Sequence, residues 1–229
     1  MTSDPMTAFF QLPRNLPREG PGEPADVAWA AQIAGIGAKA EIADVGCGPG
    51  ADIDALIAAA PQGQVTALDK TPHFVEEARA RWQGDSRVTI LKADMAAIHN
   101  RYDLIWCAGA IYFIGVTEAL TAWRKALLPG GAVAFSEICW FTDTNPGMTD
   151  EAGVQARIQA AGYEVLGRRQ LSDAAWEAYF GPIDQRISAL RPSADAALTE
   201  ILDAAEEEAA CWRAHRNEFG YLLSVVRPT

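Results

Sequence analysis

Three aspartates and one glycine turn carry most of the chemistry this chain offers. Asp44, Asp69 and Asp94 each close or follow a short apolar run. The first run, Ile42-Ala43-Asp44-Val45, leads into Gly46-Cys47-Gly48-Pro49-Gly50, and a helical pattern opens with Ala51 and Asp52. A residue without Cβ lets the chain turn sharply and lets backbone approach a ligand closely. Free N–H groups at the start of a helix then face whatever occupies the turn. A strand, such a turn and a helix in that order predict a nucleotide-type cofactor site.

The glycines do not name the nucleotide. Gly46 to Gly50 read G-x-G-x-G, and Gly46 to Ala51 also satisfy the G-x-G-x-x-G/A of dinucleotide sites. Asp44 discriminates, because a carboxylate two residues before the first glycine repels a pyrophosphate and attracts an ammonium group. S-adenosylmethionine offers an α-amino group and a sulfonium. Asp69 ends the second apolar run, 23 residues after Gly46, where a carboxylate can accept both hydroxyls of a ribose. A nicotinamide cofactor would use it equally well. Lys70 could cover the adenosine edge or remain solvated. Asp94 could accept an adenine amino group, with Met95 lying on the ring as a polarisable contact.

The fourth apolar run ends at Cys107 and continues as Ala108-Gly109-Ala110-Ile111-Tyr112. Its end is expected to face the reacting centre. Tyr112 and Glu137 are the candidate catalytic groups, either as bases or as groups that orient an acceptor. Tyr112 serves equally well as an aromatic wall, and Glu137 as a hydrogen-bond partner of the 108–112 loop. Trp176, Tyr179 and Phe180 share one helix face, which either packs on the sheet or lines a substrate pocket. Trp140 is a further substrate-side candidate. His73, His99 and His215 show no ligand spacing with cysteines or with each other, so no metal site is expected.

These residues need a frame. Strands are predicted at 41–46, Gln64–Asp69, Arg87–Lys92, Tyr102–Cys107, Gly131–Ile138, Tyr163–Gln170 and Tyr221–Val226. Helices are predicted from about Pro24 to Gly35, 51–60, Pro72–Trp82, Val116–Leu128 and Asp150–Ala161. Alternation with short loops predicts an α/β fold, a mostly parallel sheet with helices on both faces. Residues 1–24, rich in Pro, Gly and charge, predict an extended arm with no helix. Residues 172–216 predict a helical insertion before the last strand: one helix starts after Ser172 as N-cap, and the other spans Asp195 to Arg216. The arm and the insertion are candidate lids on a single domain covering 1–229. Within the insertion, Glu206-Glu207-Glu208 reads as a solvated helix face.

Bulk composition narrows the partners. The net charge of −11 disfavours phosphate-backbone binding, so neither nucleic acid nor an anionic membrane is an expected partner. No apolar run reaches membrane-spanning length. Asp4 and Pro5, with no basic stretch before them, do not read as a signal peptide. Cys47, Cys107, Cys139 and Cys211 are far apart with no C-x-x-C, which predicts reduced thiols and a cytoplasmic protein. Cys139 and Cys211 are expected to be packing residues. The chain could pair as a homodimer.

The stretch Asp44-Val45-Gly46-Cys47-Gly48-Pro49-Gly50, followed by Asp69, Asp94 and Leu127-Leu128-Pro129-Gly130-Gly131, resembles the motifs of class I S-adenosylmethionine-dependent methyltransferases. Further segments resemble a bacterial small-molecule set broadly related to the ubiquinone/menaquinone-biosynthesis type. They are REGPG (Arg18–Gly22), GAIY (Gly109–Tyr112), Phe135-Ser136-Glu137, AGYEVLG (Ala161–Gly167) and AWEAYFGPIDQRI (Ala175–Ile187). The resemblance implies a Rossmann-like seven-stranded sheet, bound S-adenosylmethionine with S-adenosylhomocysteine as product, and methyl transfer to an O, N or C atom of a small molecule. It places Asp44, Gly46, Cys47, Gly48, Gly50, Asp69, Lys70, Asp94, Met95 and Cys107 at the cofactor. Two departures stand out: Ala108 replaces an acidic residue common in relatives, and the segment after Trp140 is short. Two alternatives remain, a cofactor-binding protein without catalysis and an NAD(P)-dependent oxidoreductase on a similar sheet.

Overall fold

Short apolar runs become the central strands of this chain because they are covered on both faces. In the computed structural model, which describes residues 8–142 and 147–229, β1 (Glu41–Val45), β2 (Gln64–Asp69) and β4 (Tyr102–Cys107) lie side by side and are largely buried. β3 (Val88–Lys92), β5 (Leu127–Trp140), β6 (Tyr163–Gln170) and β7 (Phe219–Pro228) complete one seven-stranded sheet of order β3-β2-β1-β4-β5-β7-β6. β7 runs antiparallel to both its neighbours, whereas the pairs from β3 to β5 are parallel. The strand order reverses between β1 and β4. In an open α/β sheet that is the place where a crevice forms at the carboxyl ends of the strands.

Helices α1 (Pro24–Ala34), α2 (Ile53–Ala59), α3 (Pro72–Arg81), α4 (Val116–Trp123) and α5 (Glu151–Ala160) connect and cover the strands. One core cluster, around Ile42, Leu56, Leu104 and Ala134, packs the α1–α2 face of the sheet. A second, around Ile105, Trp123, Phe135 and Ile158, packs the α4–α5 face. The N-cap read from the sequence is made, since Ser172 accepts from Ala175 N at 3.1 Å. Asp150 and Asp195, read as first residues of their helices, are caps as well, accepting from Gly153 N at 2.7 Å and Leu198 N at 3.0 Å.

Some boundaries differ from the expectation. The fourth connecting helix ends at Trp123 and gives way to a 3-10 turn, Arg124–Ala126, rather than running to Leu128. β5 starts at Leu127, not Gly131, because Leu127 already pairs with Tyr102 across a register irregularity. The helix after the glycine turn begins at Ile53, two residues later than expected. The arm is not purely extended either: Ala8 and Phe9 are helical, and residues 8–23 fold back through turns. The first seven residues of the arm, and residues 143–146 of the short segment after Trp140, lie outside the described residues.

A third apolar cluster roofs the crevice. The long helices α6 (Asp173–Leu190) and α7 (Ala196–His215) pack through Trp176, Phe180, Ile183, Leu202 and Trp212. Trp176 and Trp212 stack with ring centroids 5.0 Å apart. Ala8, Leu12 and Leu16 of the arm insert into the same cluster. Polar bonds tie the arm down: Gly22 N donates to Ala175 O at 3.1 Å, Arg186 to Gln11 O at 3.1 Å and Ser172 Oγ to Glu23 at 2.6 Å.

Candidate functional site

The crevice is a cavity of about 660 Å³ at the carboxyl ends of β1, β2 and β4, walled above by the arm, α6 and α7. That volume lies in the range of small-molecule sites. At its floor the glycine turn is bolted to β2, since Gly46 N and Cys47 N both donate to Leu68 O, at 2.9 and 3.1 Å. Gly46 has φ +73°, and a Cβ there would lie 2.7 Å from the Cβ of Ala110. Both the left-handed backbone and the close approach of the 108–112 loop therefore require glycine. Gly48 stands in the cavity wall. Gly50 is not among the lining residues; a Cβ there, at φ +83°, would meet Ile53 Cδ1 at 2.8 Å and Trp82 Nε1 at 3.3 Å. Its glycine is required by the turn into α2.

Asp44 is buried at the cavity floor, and its Oδ2 has no hydrogen-bond partner. Burial pushes its carboxyl well above the ordinary carboxylate range, and the charges of Asp52 and Asp69 push it further; Arg18 opposes them. An unpartnered buried carboxylate oxygen is costly unless something cationic or hydrogen-bonding meets it. The donor set thus fits an ammonium-bearing cofactor better than a pyrophosphate. Asp69 sits at the tip of β2, accepting from Gly48 N at 3.0 Å through one oxygen and from Thr71 N at 2.7 Å through the other. Those bonds fix the carboxylate beside the glycine turn. Lys70 lines the cavity with its ammonium 5.3 Å from the Phe113 ring centroid.

After β3, Ala93 and Met95 line the cavity and Asp94 does not. Asp94 is exposed, and its Oδ1 accepts from Ala96 N at 2.8 Å. Met95 is held from behind, because its carbonyl accepts from Trp123 Nε1 at 2.7 Å. Of the two residues expected on the adenine side, Met95 faces the cavity and Asp94 faces solvent.

The catalytic and substrate candidates separate in the same way. Tyr112 lines the cavity; Glu137 does not. Alternation along β5 sends Glu137 to the same face as Phe135 and Cys139, where it is buried with Oε2 unpartnered and its carboxyl is raised by burial against the pull of Arg157. The loop partner expected of Glu137 is instead its neighbour Ser136, whose Oγ accepts from Gly109 N at 2.8 Å. Cys47 lines the cavity, but Cys107, fully buried, does not. Tyr179 faces the cavity. Trp176 instead stacks in the roof core, and Trp140 stacks on Phe219 with ring centroids 4.8 Å apart. Cys211 is exposed, so a packing role does not apply to it.

Arg18 and Glu19 of the arm, Asp52 of the turn and Glu208 of α7 also line the cavity, and none was singled out from sequence. Arg18 donates to Asp52 Oδ1 at 3.2 Å and to Gly20 O at 2.5 Å, and Trp106 Nε1 donates to Asp52 Oδ2 at 3.0 Å. Glu19 is pushed up to about 8 by the protein around it and by the charges of Glu77 and Asp69. It keeps contact with water through the open cavity. The REGPG string was a signal for Arg18; only the fold brings Glu19 opposite Asp69.

Residues 42–131 match the model of the family described as methyltransferase domain. This stretch runs from β1 into β5 and contains the glycine turn, Asp44, Asp69 and Met95. That stretch of the chain is similar to methyltransferase domains. Over 103 residues it is 36% identical to a trans-aconitate 2-methyltransferase of Streptomyces avermitilis, a match covering 42% of this chain and 38% of that protein. The matched region likewise spans 38% of a trans-aconitate 2-methyltransferase of Methylobacterium nodulans, at 30% identity over 102 residues and 43% of this chain. The chain thus spans less than two-fifths of the length of these curated relatives. A solved S-adenosylmethionine-dependent methyltransferase of Geobacter sulfurreducens, in complex with S-adenosylhomocysteine, superposes with a TM-score of 0.80 at 17% identity, covering 100% of this chain and 99% of that one. The matched region, its flanking strands and its helical roof therefore share the Rossmann-like fold of that protein from end to end.

Proposed function

We propose that this chain transfers a methyl group from S-adenosylmethionine to an O, N or C atom of a small molecule. The observation that carries this reading is the unpartnered, buried Asp44 carboxylate beside the Gly46–Gly48 turn, with Asp69 fixed at the next strand tip. When bound, S-adenosylmethionine supplies a methyl group on a positively charged sulfur, and transfer leaves a neutral thioether. Asp44 receives the α-ammonium group, Asp69 the ribose hydroxyls, and Met95 lies against the adenine. The leaving sulfur needs no activation, so the chain's main task is to align acceptor and methyl and to exclude water. The roof of arm, α6 and α7 supports the exclusion. Tyr112, in the cavity wall, orients the acceptor.

Thermal unfolding of the purified chain tests the cofactor. At about 100 times Kd, a ligand of the folded state stabilises by about 2.7 kcal/mol. For a chain of this length that raises Tm by roughly 5–10 °C. Both S-adenosylmethionine and S-adenosylhomocysteine are expected to do so, with the shift abolished by Asp69→Ala and reduced by Asp44→Asn. A shift with NAD or NADP and none with the sulfur ligands would replace methyl transfer by hydride transfer. Cofactor binding without turnover on any acceptor would leave a binding protein.

A further inference from the structure

All three carboxylates of the acidic run of α7 are solvent-exposed, as a solvated face requires, and one of them also borders the cavity. Glu206 pairs with Arg191 at 2.9 Å, but Glu208 turns into the cavity wall. Among the residues that α6 and α7 give to that wall, Glu208 is the charged one; the rest are aromatic, aliphatic or alanine. No salt bridge reaches it among the described residues, and partial desolvation at the cavity wall raises its carboxyl. Tyr112 and Tyr179 line the same cavity, and the Glu208 charge raises both phenols. Glu19 of the arm acts on Tyr179 as well, and Leu12, Leu16 and Ile183 add apolar wall.

Two cations, Arg18 and Lys70, line the cavity against five carboxylates. Arg18 is committed to Asp52 and to the Gly20 carbonyl. Lys70 follows Asp69 at the tip of β2 and faces the Phe113 ring. An acceptor carboxylate or phosphate brought against Glu208 would meet repulsion from Glu208 and from Glu19, which acts on the same Tyr179. An ammonium would meet a carboxylate and two electron-rich rings, with an apolar wall for the rest of the molecule.

We propose that the acceptor taken under this roof is an apolar amine, its ammonium held by Glu208 between Tyr112 and Tyr179, and that carboxylate-bearing acceptors are excluded. This rests on the methyl-transfer reading above. It departs from the polycarboxylate substrate in the names of the curated relatives.

The test is binding of matched probes by calorimetry, each to the chain already saturated with S-adenosylhomocysteine. Tryptamine is compared with indole-3-propionate and tryptophol, and octylamine with octanoate. A charge-assisted contact predicts that an amine binds about tenfold or more tightly than its carboxylate. Glu208→Gln should reduce that preference to near unity while leaving S-adenosylhomocysteine binding unchanged. Equal or tighter binding of the carboxylates by the wild-type chain overturns the proposal, as does failure of both amines to bind. Displacement of S-adenosylhomocysteine by the amines also overturns it, because the amine would then occupy the Asp44 end. Because the wild-type comparison stands alone, misfolding of the variant would not decide the outcome. If S-adenosylhomocysteine itself does not bind, the methyl-transfer reading is what has failed.

Discussion

Asp44, Asp52, Asp69 and Glu19 surround one end of the cavity, and their charges work against one another. The Asp52 and Asp69 charges raise Asp44, and the Asp69 charge raises Glu19, in both cases added to burial. A cationic ligand relieves that repulsion and favours the ionised carboxylates, so its binding releases protons. Affinity for S-adenosylmethionine is therefore expected to rise with pH towards about 8, the value to which Glu19 is pushed. Calorimetry in buffers of differing ionisation enthalpy should show net proton release, smaller in Asp44→Asn; no buffer dependence would contradict this account. Asp44 and Asp69 were legible from sequence because each sits at a fixed offset from the glycine turn or a strand end. Glu19 and Glu208 were not, because only residues of other elements place them at the cavity. For Asp94 the position after a strand was legible, but the side on which it emerges was not.

At the scale of elements, the arm and the α6–α7 pair act as one roof, joined to the floor through Arg18 and Asp52. Both side chains are almost fully covered, at 11% and 10% exposure. Arg18→Leu would leave Asp52 with only the Trp106 indole. It is expected to cost about 2 kcal/mol, as for an uncompensated buried charge. That corresponds to a fall in Tm of roughly 4–8 °C, and a fall below about 1 °C would show the pair to be ornamental. Glu19 adds a pH dependence. Its folded value of about 8 lies above the ordinary 4.5, so between those values the folded chain holds a proton that the unfolded chain has lost. The stability of the ligand-free chain should therefore decline as pH rises through this window. Glu19→Gln should flatten the decline in urea unfolding curves at pH 6 and pH 8.5, and parallel wild-type and variant curves would remove Glu19 as its cause. The two insertion helices and the cap at Ser172 were readable because helical period and capping are local chemistry. The arm was read as extended because Pro and Gly dominate it, yet Ala8, Leu12 and Leu16 find a core that only the distant helices provide.

Across the whole molecule the net charge is −11 and the cavity is rich in carboxylates. Such a field attracts a cationic cofactor from a distance and is screened by salt. Stopped-flow association of S-adenosylmethionine should slow severalfold between about 10 mM and 300 mM salt, and association of a neutral analogue should change little; equal sensitivity would argue against steering. No helix among the described residues is long and apolar enough to cross a membrane. From sequence by itself came the alternation of strands and helices, the glycine turn and the two cofactor-end aspartates. These follow from local rules of backbone freedom, hydrophobic period and capping, which act within a few residues. Tertiary structure decided that β7 inserts antiparallel between β5 and β6. It decided that Ser136 rather than Glu137 holds the loop, since strand pleating sends neighbours to opposite faces and the register selects which faces the loop. It also decided that Glu208, one carboxylate in an acidic run, borders the cavity beside the apolar residues of the roof, because a helix's rotation is set by what its buried face packs against.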